Sequence, residues 1–175
     1  MISIPKTATL AIRPMLHSDI EAVSKIEKQS FTTHWNTQAY VTELSNSNAL
    51  YVVATLNDRV VGYGGLWVIL DEAHITTIAV ESGLRGNKIG ERLLAEMLRG
   101  AQKRGASRST LEVRATNEPA KHLYKKYGYE WVAIRKAYYA DNNENADILW
   151  INDMTTGEWR RLYAANRAAL GLPPS

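Results

Sequence analysis

The chain has 175 residues, 21 lysines and arginines against 18 acidic residues, 45% hydrophobic residues and no cysteine. That is enough chain for one domain with a real core, and its net charge of +3 is too weak a basic excess to imply nucleic acid by itself. The missing cysteines exclude disulfides, thiolate metal sites and a sulfur nucleophile. No apolar run approaches the ~20 residues of a membrane span, and "MISIPKTATLAIRPM" lacks a signal-peptide core, so the expectation is a cytoplasmic protein with no membrane partner.

"TLAIRPM" alternates as a strand ending near Pro14. "SDIE" has the form of a capping box with Ser18 at the N-cap and Glu21 reaching back, opening a helix with Ile20, Val23 and Ile26 on one face. A second helix is predicted from Thr37 to Leu44. "ALYVVATLNDRVVGYGGLWVIL" reads as two strands around a turn at Asn57-Asp58, and "EAHITTIAV" as the next strand. Glycines then lead into a helix with Ile89, Leu93, Met97 and Ala101 at i+4 spacing, ending at Gly105 after Lys103 and Arg104.

"STLEVRA" is a strand. "TNEPAKHLYKKYG" is a short helix with Asn117 at its N-cap, Pro119 in its first turn and Gly128 at its stop. "YEWVAIRKAYYA" and "NADILWINDM" form a hairpin joined by "DNNEN", and "EWRRLYAANRAALGL" is a helix, expected to be a peripheral appendage. The order predicts a mixed α/β or α+β sheet, with a domain over residues 1–156 and a helical extension over 157–175.

Between "HITTIAV" and the long helix, Gly86 and Gly90 clear space beside main-chain N–H groups, and Arg85 and Lys88 add positive charge. A strand, a glycine-rich turn and a helix N-terminus together suit an anion; close packing of helix on strand is the structural alternative. The Walker and dinucleotide fingerprints are both absent.

"RGNKIG", Arg85 to Gly90, resembles the [Q/R]-x-x-G-x-[G/A] pyrophosphate loop of the GNAT acetyltransferases, with Lys88 where glycine is usual and expected to keep helical dihedrals. "AHITTIAV", "TLEVRATNEPAKHLYKKYGY" and "RKAYYADNNENADILW" are similar to stretches of the RimI-type ribosomal-protein-alanine N-acetyltransferases and of archaeal and eukaryotic N-terminal acetyltransferase catalytic subunits. The resemblance runs from about Thr9 to Met154. It implies a GNAT fold, a central, mixed, mostly antiparallel twisted sheet flanked by helices, and acetyl-CoA as co-substrate with no metal. It further implies that the backbone of Ile78, Ala79 and Val80 runs along the pantetheine arm, and that Arg85, Gly86, Asn87, Lys88, Ile89, Gly90 and Glu91 hold the pyrophosphate. Asn117 corresponds to a cofactor-contacting residue, Glu112 to the base, Tyr124 to the proton donor of the departing thiolate, and Tyr138 and Tyr139 to a hairpin closing over the acceptor peptide. The implied acceptor is the N-terminal alanine of a small-subunit ribosomal protein, or another N-terminus.

Magnitudes favour such an acceptor. At pH 7 roughly one α-amine in ten is neutral, against about one lysine in a few thousand, so an N-terminus needs little help from a base. Glu112 needs a raised pKa or a relaying water to serve; alternatively it pairs with Arg114 or another cation. His74 and Glu72 are rival bases, and His74 titrates nearer neutrality. Tyr124 lies beside the stripe formed by Ala120, Leu123 and Tyr127, so a core-edge role and Tyr127 compete with the assignment, while Asn117 has a plain capping role as its alternative.

Asp141, Glu144 and Asp147 near the two tyrosines would suit basic residues after a small first one. A calcium loop fails, because its sixth position is Ala146 and its twelfth Asn152, and the four histidines lack metal-ligand spacing. The competing readings are an acetyltransferase for a small-molecule amine or lysine, and a non-catalytic acyl-CoA-binding module. Basic residues between Arg99 and Arg108 fit a solvated helix end better than a nucleic-acid surface.

Overall fold

The computed structural model describes residues 2–5 and 7–174. Seven strands, β1 (Leu10–Pro14), β2 (Ala49–Leu56), β3 (Arg59–Ile69), β4 (Glu72–Val80), β5 (Arg108–Arg114), β6 (Glu130–Tyr139) and β7 (Glu144–Ile151), form one sheet in the order β1-β2-β3-β4-β5-β7-β6. The β4–β5 ladder is parallel, whereas β1–β2, β2–β3, β5–β7 and β6–β7 are antiparallel. Five helices accompany them: α1 (Ile20–Ser30), α2 (Thr37–Leu44), α3 (Ile89–Lys103), α4 (Glu118–Lys126) and α5 (Gly157–Ala169). This is the mixed, mostly antiparallel architecture expected. Among the described residues no helix is long and apolar enough to cross a membrane. The chain forms two compact units, Met1–Trp67 with Thr77–Gly100, and Val68–Thr76 with Ala101–Ser175.

In the first unit α1 buries Ile20, Val23 and Ile26 against Tyr40, Tyr51, Val53 and Tyr63. The core tolerates the Glu27 carboxylate because it is hydrogen-bonded: Tyr40 donates to it at 2.8 Å and the Trp35 N–H at 3.2 Å. α3 lays Ile89, Leu93 and Met97 inward, and Gly64 of β3 admits it, since a Cβ there would stand 2.5 Å from the Met97 sulfur. Asn57 and Asp58 take φ values of +48° and +64°, the left-handed pair that a tight hairpin turn requires.

One predicted cap is corrected. Ser18 lies within a short 3₁₀ turn, His17–Asp19, that precedes α1. Asp19 holds the N-cap position of α1, its carboxylate reaching back across the 3₁₀ turn to accept the Leu16 N–H at 2.8 Å. Arg13 grips the same carboxylate at 2.7 and 2.9 Å and holds it below its ordinary pKa. Glu21 pairs with Lys25 one turn along.

In the second unit β5 turns Ser109, Leu111 and Val113 inward, with Ser109 Oγ sharing a 2.6 Å hydrogen bond with the Tyr129 hydroxyl. The C-terminal helix is not peripheral to this unit. α5 buries Trp159 and Tyr163, whose rings stack with centroids 4.8 Å apart.

Candidate active site

Main chain dominates what the first unit offers. β4 runs to Val80, yet its parallel ladder with β5 covers only Glu72–Ile75 against Arg108–Leu111. Ile78, Ala79 and Val80 lie on β4 beyond that ladder. Arg85 folds its side chain back, Nε donating to the Val80 carbonyl at 3.2 Å, which ties the loop to the strand's end. Gly86 and Lys88 both take left-handed backbone, φ +84° and +59°. Lys88 thus does not keep the helical dihedrals expected of it; the chain turns there as a glycine would, against the steric preference of an L side chain. An Arg92 N–H bond to the Lys88 carbonyl at 3.0 Å opens α3, and the N–H groups of the first helical residues, Ile89 and Gly90, point out of the helix N-terminus. These are the anion-facing groups of a helix N-terminus. The Asn87 side chain is turned elsewhere, donating to the carbonyls of Ile2 at 2.8 Å and Leu84 at 3.0 Å.

In the second unit side chains dominate. The parallel register sets His74 opposite Thr110, and Glu112 follows two residues along on the same face. The His74 ring nitrogen Nε2 lies 2.6 Å from Glu112 Oε2. β7 pairs Ile148 with Glu112 and Ala146 with Arg135, which brings Arg135 onto that face, 3.3 Å from Glu112 Oε1. Both oxygens of a side chain only 12% exposed are thereby engaged, whereas the His74 side chain is 35% exposed. The hydrogen bond to His74 holds Glu112 below the usual carboxylate range despite burial, and the same bond raises His74 above its ordinary value. Such a pair has the chemistry for proton transfer, an imidazole whose tautomer is set by a carboxylate. Glu72 points instead toward Arg108, 3.7 Å away.

Asn117 accepts the Ala120 N–H at 3.3 Å as the N-cap of α4. On that helix Tyr124 is partly buried, its ring edge-to-face with Tyr129 at 5.6 Å, and burial pushes its phenol above the ordinary value. Tyr127 is fully buried and packs on Tyr163.

The β6–β7 end is pinned from β5. Arg114 does not pair with Glu112. It reaches Asp141 at 2.8 Å and Glu144 at 3.0 Å, with its guanidinium 3.9 Å from the centroid of the Tyr139 ring. Glu144, which also accepts from Thr116, is held at about 2, and burial pushes Tyr139 up to about 12. Asp147 meets Lys121 at 3.3 Å. The three acids expected to await a basic peptide thus already have cationic partners. Three residues of β6 (Lys136, Ala137 and Tyr138) oppose one of β7. Ala137 adopts φ +49° at this bulge, where Asn145 Oδ1 accepts its N–H at 3.0 Å, and Tyr138 stands out, 45% exposed.

The model of the acetyltransferase (GNAT) family matches residues 20–129. The chain belongs to the GNAT acetyltransferase family. Among its relatives, a Bacillus subtilis protein named as a candidate ribosomal protein bS18-alanine N-acetyltransferase is 41% identical over 142 residues, 81% of this chain and 94% of that one. The Escherichia coli K12 ribosomal protein bS18-alanine N-acetyltransferase is 31% identical over 136 residues, 75% of this chain and 90% of its own. The crystal structure of the Escherichia coli ribosomal-protein-S18-alanine N-acetyltransferase superposes with a TM-score of 0.77 at 28% identity, covering 86% of this chain and 97% of that one. As a GNAT member the chain is an N-acetyltransferase. Two residues now in view were not singled out by sequence: Arg135, and Arg114 as the clamp of the turn. Both depend on strand register, for which "RKAYY" and "LEVR" carry no local signal.

Proposed function

We propose that the protein transfers the acetyl group of acetyl-CoA to the N-terminal α-amine of a protein, with the N-terminal alanine of a small-subunit ribosomal protein as its first substrate, in the cytoplasm. The observation that carries the chemistry is the His74–Glu112 pair. Both Glu112 oxygens are occupied, and His74 is the more exposed member. Glu112 therefore acts through His74: its carboxylate holds the Nε2 hydrogen and leaves the Nδ1 lone pair as acceptor.

In the reaction the neutral α-amine attacks the thioester carbon, the C–N bond forms as the C–S bond breaks, and the amine's surplus proton passes to His74. The departing thiolate takes the Tyr124 hydroxyl proton. That phenol keeps its proton throughout the neutral range because burial raises its pKa, and solvent restores it after each turnover. Main-chain N–H groups of Ile78–Val80 meet the acyl carbonyl, where an oriented donor is worth a few kcal/mol in a transition state. Residues 85–91 carry the pyrophosphate on helix N–H groups, with Arg85 holding the loop and Lys88 adding charge; a cofactor contact is assigned to Asn117, and contacts to the peptide to Tyr138 and Tyr139. The acceptor identity draws support from the substrates named for the relatives above.

The test is incubation with acetyl-CoA and two peptides, one with a free N-terminus and no lysine, the other N-terminally blocked and containing lysine, read by mass spectrometry. Acetylation of the free N-terminus is expected. Modification of the blocked peptide alone would overturn the reading.

A further inference from the structure

Every α-helix leaves its last carbonyls without donors of its own, and at the C-terminal end of α4 those of Tyr124, Lys125, Lys126 and Tyr127 have each found one. Tyr127 and Tyr129 donate their N–H groups to the Tyr124 carbonyl at 2.9 and 3.1 Å, and Gly128 donates to that of Lys125 at 3.0 Å. With Gly128 at φ +87° this is a Schellman ending. The next two carbonyls are met from α5. Asn166 Nδ2 donates to Lys126 at 2.8 Å, and Trp159 Nε1 donates to Tyr127 at 3.0 Å. Both donors are over nine-tenths buried. Trp159 is itself fixed, its N–H capped by Thr156 Oγ1 at 3.2 Å and its ring stacked on Tyr163. A Cβ on Gly128 would stand 3.1 Å from the indole, so the left-handed glycine leaves just the room the ring fills.

The helix they close needs this support. α4 has nine residues and buries none of them fully, and a helix that short is marginal without tertiary restraint. Tyr124 lies two positions before its last residue, within the clamped turn. α5 begins at Gly157, beyond the residues 20–129 matched by the family model.

We propose that Trp159 and Asn166 are positioning residues for Tyr124: by closing the carbonyls of Lys126 and Tyr127, at the last residue and the C-cap of α4, they fix the helix end in height and rotation, and through it the phenol that protonates the departing thiolate. The proposal rests on the reading of Tyr124 as proton donor, and the experiment separates the two.

Trp159→Phe keeps the ring and removes the N–H; Asn166→Asp keeps the shape and removes the donor. Each is made in the full chain, alone and with Tyr124→Phe, and acetyl-CoA binding, peptide KM and kcat are measured well below the melting temperature. The clamp variants are expected to lower kcat about tenfold with KM and acetyl-CoA binding unchanged, and to lower the residual rate of Tyr124→Phe no further. Equal losses in both backgrounds, or full kcat in the folded single variants, overturn the positioning role. A Tyr124→Phe enzyme at full rate overturns the proton-donor reading itself, and the clamp's purpose with it. If Trp159→Phe does not fold, Asn166→Asp decides.

Discussion

The loop from Arg85 to Glu91 and the face of β5 hold their functional groups in opposite ways. The loop offers main-chain N–H groups at a helix N-terminus, shaped by left-handed backbone at Gly86 and Lys88. The β5 face offers side chains that are already paired: His74 with Glu112, Glu112 with Arg135, and Arg114 with Asp141 and Glu144. A backbone site is set by local conformation and tolerates exchange of many side chains. A paired side-chain site depends on each partner's charge, and losing one redistributes pKa values through the rest.

The largest expected effects fall on the side-chain region. His74→Gln should lower kcat/KM about a hundredfold, the usual scale for a lost general base, with acetyl-CoA affinity by calorimetry unchanged; equal loss of both would make His74 a structural residue. Next, Arg114→Ala releases Asp141, Glu144 and the Tyr139 ring together, and should raise the peptide KM several-fold while leaving kcat nearly intact, measurable by steady-state kinetics.

A smaller effect concerns stability against pH. His74 is raised, so its contribution is present below its unfolded value of about 6.5 and is lost as pH climbs through the folded one. Glu112 is lowered, so its contribution is present above its unfolded value of about 4.3 and is lost as pH falls through the folded one. The melting-temperature difference between wild type and Glu112→Gln should be widest between those limits and narrow on either side. Lys88→Gly probes the backbone region and should have the smallest effect: relief of left-handed strain of about 1 kcal/mol, seen as a modest rise in melting temperature with acetyl-CoA still bound.

Legibility in the sequence follows the same division. Strands, helices, the Asn57-Asp58 turn, the Asn117 cap and the glycine-rich loop are local, and alternation, periodicity and turn chemistry expose them. The role of Asp19 was hidden because it depends on Arg13, on a strand before it. The left-handed Lys88 was hidden because lysine carries no conformational signature, and only the usual glycine of similar loops hinted at it. His74 and Glu112 were each visible as candidate bases, but their union waits on a parallel register between residues 38 apart. The integration of α5 was hidden for a similar reason: Trp159 and Asn166 look like ordinary helix residues until the carbonyls at the end of α4 are counted.

The most direct test of the central claim, that Glu112 works through His74, is the acid limb of kcat against pH with an N-terminal peptide at saturation. Removing the carboxylate's charge in Glu112→Gln should move that limb to lower pH, and removing the opposing guanidinium in Arg135→Ala should move it to higher pH. A limb that stays in place in both variants, or vanishes in Glu112→Gln while surviving in His74→Gln, would contradict the account and return the base to the carboxylate alone.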